Sequence, residues 1–117
     1  MKKKLLITSV ILLFMASCTF EKREIPQQGF KCDSLVRLNP VIDSIIVKNC
    51  STTPGCHIPG GTGNGDFTTY SGLKAKVDNG SLLNRVVILK NMPVSPPLSD
   101  ADINRIHCWI IQGGLNN

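Results

Sequence analysis

Five cysteines, at positions 18, 32, 50, 56 and 108, constrain this 117-residue chain more tightly than any other feature. The start of the chain explains why. Lys2, Lys3 and Lys4 precede an apolar run from Leu5 to Met15, which has the charge and hydropathy pattern of a secretory signal. The run is much shorter than the roughly 20 residues that a permanent membrane-spanning helix needs. An exported chain enters an oxidising compartment, where cysteines are bonded or occupied rather than left as thiols. Each of the five therefore needs a destination.

The leader ends Met15-Ala16-Ser17-Cys18, which resembles the lipobox of bacterial lipoproteins. Residues 1–17 are then expected to be a removable signal and Cys18 the lipid-modified N-terminus, holding the protein to a membrane of the cell envelope on the periplasmic or outer face. An ordinary signal peptide is the alternative. Removal takes away three lysines and no acidic residue, leaving 10 basic against 8 acidic side chains. A net charge near +2 gives no basis for nucleic-acid binding. The remaining 100 residues suffice for one small domain.

Cys50-Ser51-Thr52-Thr53-Pro54-Gly55-Cys56-His57 places two thiols beside an imidazole, and Met92-Pro93 follows on a later segment. Two cysteine thiols can add across the vinyl groups of a porphyrin, the adjacent histidine can ligate its iron, and a methionine sulfur can take the sixth position. The expected cofactor is haem c, an iron porphyrin. The usual C-x-x-C-H spacing is stretched here to five intervening residues, with Thr53 where the first cysteine would stand. Cys32 and Cys108 then remain as a candidate disulfide, which would close a loop of 76 residues and contribute on the order of 4 kcal/mol.

Residues 18–38 are expected to form the lipidated N-terminus and a polar tether, and residues 39–117 the folded domain. Asn39-Pro40 predicts a helix start, with Val41, Ile42, Ile45 and Ile46 at helical spacing. Residues 58–67 hold four glycines and a proline, which suits either a surface loop or one passing close to a flat ligand. Ser71 and Ser81 are expected to open two short helices. Ser99 with Asp102 predicts the cap of a last helix ending at Gly113-Gly114. Ile103, Ile106, Trp109 and Ile110 share one face of that helix, and Cys108 lies opposite, where an outer segment carrying Cys32 could meet it. His107 is expected to be a packed side chain.

Cys56-His57, Met92-Pro93, Leu98-Ser99-Asp100-Ala101-Asp102-Ile103 and Trp109-Ile110, in that order, resemble the second half of class I cytochromes c, and in particular small cytochrome c-type lipoproteins. The resemblance covers residues 41–114. It implies an all-α fold of about four short helices around a covalently bound haem, with long loops. It also implies Cys50 and Cys56 as thioether sites, His57 as proximal ligand and Met92 as distal ligand. Filling both axial positions makes the protein an electron carrier and not an enzyme; a peroxidase-like or gas-binding role requires that Met92 not ligate. The expected partners are redox proteins, and Lys74, Lys76, Arg85 and Lys90 either steer them or are plain solvated surface.

Two other readings use the same residues. A disulfide-stapled structural or interaction lipoprotein would pair Cys50 with Cys56 and Cys32 with Cys108. A zinc domain would draw on Cys50, Cys56, His57 and either His107 or another cysteine. For the anchor, Cys18→Ala is expected to move the protein from the membrane fraction to the soluble fraction, checked by fractionation of cells expressing each form.

Overall fold

The computed structural model describes residues 29–51 and 56–117. The expected signal, Cys18 and most of the tether lie outside the described residues. Four helices and no strand occur within them.

The isoleucine stripe forms α1, which opens with a π-wound turn over Leu38–Ile42 and continues as α-helix over Asp43–Asn49. Asn39 is extended, with φ −103° and ψ 127°, so helical winding starts at Pro40, whose missing N–H costs nothing there. The C-terminus fastens this entry. The Asn39 N–H donates to the Asn117 carbonyl at 3.0 Å, and the Leu38 N–H donates to Asn117 Oδ1 at 2.9 Å. Ile42, Ile45 and Ile46 are buried.

Helix α2 spans Tyr70–Asp78, and its cap is Thr69 rather than Ser71. Thr69 is extended and its hydroxyl accepts from the Gly72 N–H at 3.2 Å. Two hydroxyl residues stand within two positions of each other, and composition alone does not say which is extended. A turn at Asn79, whose Oδ1 accepts from the Ser81 N–H at 3.0 Å, leads into α3. This helix is π-wound over Leu83–Ile88, with the Leu89 N–H donating five residues back to Asn84 at 2.8 Å.

Helix α4, Asp100–Ile111, starts as expected: Ser99 Oγ accepts from the Asp102 N–H at 3.1 Å and donates to the Asp102 carboxylate at 2.9 Å. It ends in a Schellman turn, with the Gly114 N–H on the Trp109 carbonyl and the Gly113 N–H on that of Ile110. Gly113 has φ +99°, a conformation that other residues adopt with strain. The helix packs against both α3 and the opening of α1. Ile103, Ile106 and Trp109 form its core face.

Cys108 was expected on the outer side of α4, and it is nonetheless buried, because a strap covers it. Cys32 and Cys108 are joined by a disulfide. Gln112 Oε1 accepts from the Val36 N–H at 2.8 Å and Gln112 Nε2 donates to the Ser34 carbonyl at 2.9 Å. Phe30 sets its ring 4.7 Å from that of His107. The end of the expected tether thus lies against α4 as part of the packed unit. Replacing Cys32 and Cys108 together by alanine is expected to lower the unfolding free energy by about 2–5 kcal/mol, read from urea denaturation followed by Trp109 fluorescence.

Candidate functional site

Helix α1 delivers Cys50 into the core, its N–H donating to the Ile46 carbonyl at 2.8 Å. Beyond positions 52–55, which lie outside the described residues, the chain returns to the same place: the His57 N–H donates to the Cys50 carbonyl at 3.0 Å. Cys50 and Cys56 both carry thiols, so the Cys50–Cys56 bridge of the structural reading is not formed. Burial, and secondarily the nearby Cys56, push the Cys50 thiol up to about 11.

The glycine-rich stretch folds back over Cys56-His57. A side-chain carbon at Gly61 would fall 2.1 Å from the Cys56 carbonyl oxygen, and one at Gly63 would fall 2.9 Å from His57 Nδ1. These contacts leave no room for a β-carbon, so the glycines serve close approach. At the end of the loop the Phe67 N–H donates to the His57 carbonyl at 2.9 Å. The Phe67 ring then stacks on the imidazole, centroids 4.0 Å apart and planes 3° from parallel. From α2, Lys76 Nζ reaches Asn64 Oδ1 at 2.6 Å and holds the loop from outside.

Phe67 and Asn64 were not anticipated as parts of this site, and Lys76 was expected only as a surface charge. The available signal was one aromatic residue two positions after the last glycine of the run. A local pattern does not reveal that its ring would meet a histidine ten positions back.

Stacking occupies a face of the His57 ring, but a nitrogen ligates through a lone pair in the ring plane. That direction is not used by the stack. His57 Nδ1 is buried and has no hydrogen-bond partner among the described residues, so the imidazole retains an unsatisfied polar atom of the kind that usually has a partner. Met92 is half-buried against the cluster that contains Cys50 and Phe67. Ile88, Leu89 and Val94, which flank it in sequence, are 46%, 53% and 81% exposed.

By donor chemistry these residues fit haem c: an imidazole nitrogen and a thioether sulfur suit the iron, and two thiols suit the vinyl groups. Two surface hollows, about 460 and 360 Å³, lie elsewhere, lined by Gly29, Phe30 and Lys90 and by Val41, Ile45 and Arg105 among others. Neither lining includes Cys50, Cys56, His57 or Met92.

The zinc set is not assembled around Cys50, Cys56 and His57. Among the described residues, the potential ligand atoms that converge belong to Cys32, His107 and Cys108. A porphyrin imposes no such convergence, since its vinyl carbons and its iron are separate points several ångströms apart. Lys74 is ion-paired with Asp78, and Lys90 lies 3.3 Å from Asp100. Local partners thus offset part of the positive surface expected to steer a redox partner.

No protein-family model, curated protein or solved structure matches this chain.

For protein that carries a thiol at Cys50, the raised folded-state value favours the neutral form in the fold. That stabilisation is complete below the unfolded value near 9.0 and is lost as pH rises toward about 11. Unfolding free energy is expected to fall across this interval by on the order of 2 kcal/mol more than in Cys50→Ala, measured by denaturant titration at each pH.

Proposed function

We propose that this chain is a haem c-binding electron-transfer lipoprotein of the bacterial envelope, with Cys50 and Cys56 as attachment sites, His57 as proximal ligand and Met92 as distal ligand. The supporting observation is the bracket around His57. Its ring is held flat against Phe67, backed by Gly63, and its backbone N–H is tied to the Cys50 carbonyl, with Cys56 next to it in the chain. When bound, haem supplies a reversible one-electron couple.

The chain's own contributions follow from its side chains. Phe67 and the closely packed glycine loop fix the plane of the imidazole, which limits rearrangement around the ligand. As a ligand, the soft sulfur of Met92 would favour the ferrous state and raise the potential. Burial of Cys50 keeps its end of the attachment segment inside the apolar core. His57 and Met92 would hold the iron of such a group, and the protein would then exchange single electrons with partner redox proteins.

The disulfide-stapled structural reading shares the Cys32–Cys108 bridge with the haem reading and leaves Cys50 and Cys56 unassigned. The reduced alkaline pyridine spectrum of protein exported from cells with cytochrome c maturation enzymes separates the readings. After acid-acetone extraction, a c-type band is expected, at the position for one or two thioethers. Absence of retained haem in a folded product would end the carrier reading. In the haem-bearing protein, Met92→Ala is expected to lose the weak near-infrared sulfur-to-iron band, and an unchanged spectrum would remove Met92 as the ligand.

A further inference from the structure

We propose that Cys32, His107 and Cys108 form a second site, a thiol-dependent zinc site that the disulfide masks. Their potential ligand atoms lie within 4.8 Å of one another. His107 and Cys108 are 4% and 1% exposed, and His107 Nδ1 is buried with no hydrogen-bond partner among the described residues. A buried polar atom of this kind usually has a partner, and a metal ion bound through Nδ1 would supply one. Phe30 covers the imidazole ring at 4.7 Å.

The charge and geometry suit zinc. Two thiolates carry two negative charges, which a divalent ion cancels, and buried charge is tolerated when it is paired in this way. Zinc takes sulfur at about 2.3 Å and nitrogen at about 2.0–2.1 Å in a tetrahedron. Once the sulfurs are free to separate, they can take places around an ion with the imidazole nitrogen. Oxygen donors for a fourth position are at hand: the Lys31 carbonyl and Asn104 Oδ1 each lie 3.6 Å from Cys108 Sγ. Cys32 is the partly exposed member of the group, so reagents reach it first.

The reductant is a dithiol. One of its thiolates attacks the Cys32 sulfur and expels Cys108 as thiolate; its second thiol then resolves the mixed disulfide. The protein disulfide gains two electrons and two protons while the reductant becomes a disulfide. Zn²⁺ then displaces the two thiol protons to solvent. Metal and disulfide are mutually exclusive, and the site reports the redox state of its surroundings independently of the haem reading.

The test titrates Zn²⁺, and Co²⁺ as a spectroscopic probe, into the full exported chain before and after reduction by a water-soluble phosphine. The oxidised protein is expected to bind no zinc at this site. The reduced protein is expected to bind one ion, with thiolate-to-cobalt absorption. Cys32→Ser and His107→Gln are expected to weaken binding by at least about tenfold, whereas binding at Cys50, Cys56 and His57 would be insensitive to both. Circular dichroism covers the case in which reduction loosens the helices: zinc is then expected to restore them in the parent chain and not in His107→Gln. No zinc bound by the reduced chain, or equal affinity in His107→Gln, would overturn the proposal.

Discussion

The fold depends on one buried side chain at the end of α4. Trp109 is fully buried, and its indole N–H donates to the Leu115 carbonyl at 3.0 Å. The bond requires the chain to turn back directly after the helix, which the Schellman turn at Gly113-Gly114 permits. That reversal brings the Gly114 carbonyl to the Tyr70 hydroxyl at 2.9 Å and carries Asn117 to the start of α1. Three helices are therefore tied to one turn. In a chain with 5% aromatic residues, a single large apolar group with a satisfied polar atom can organise much of the core.

The same economy governs the candidate site. No long element carries His57. It is held by a backbone bond to Cys50, a backbone bond from Phe67 and a ring stack. The close approach of Gly61 and Gly63 makes these contacts sterically possible. Irregular backbone can hold a ligand rigidly when each constraint comes from a different direction. Here they come from α1, from the loop's own end and, through Lys76 and Asn64, from α2.

Much of this was readable from sequence where the physics is local. The α1 stripe, the Ser99 cap and the Gly113-Gly114 stop depend on spacing and residue type within a few positions, and all three stand where expected. The Cys32–Cys108 pairing was also anticipated, from the allotment of the other three cysteines and from the outward position of Cys108 on its amphipathic helix. The cap of α2 at Thr69 was missed because Ser71 offers the same chemistry two residues later. The burial of Cys108 and the stacking of Phe67 on His57 were not legible. Both depend on segments distant in sequence or on a loop whose path no periodicity specifies. The glycine run left two readings open, a surface loop or one passing close to a flat ligand; in the fold its Gly61 and Gly63 lie against Cys56 and His57.

The strap gives the molecule a mechanical polarity. Everything N-terminal to Cys32 is joined to the middle of the domain by a covalent bond to α4, reinforced by Gln112 across Ser34 and Val36. A pull on the N-terminal segment therefore enters the protein at the helix that carries Trp109, bypassing the π-wound opening of α1. The segment leading to Cys50 and His57 lies off that line of force. A domain held from its N-terminal end can be dragged and reoriented while the surroundings of His57 remain unloaded.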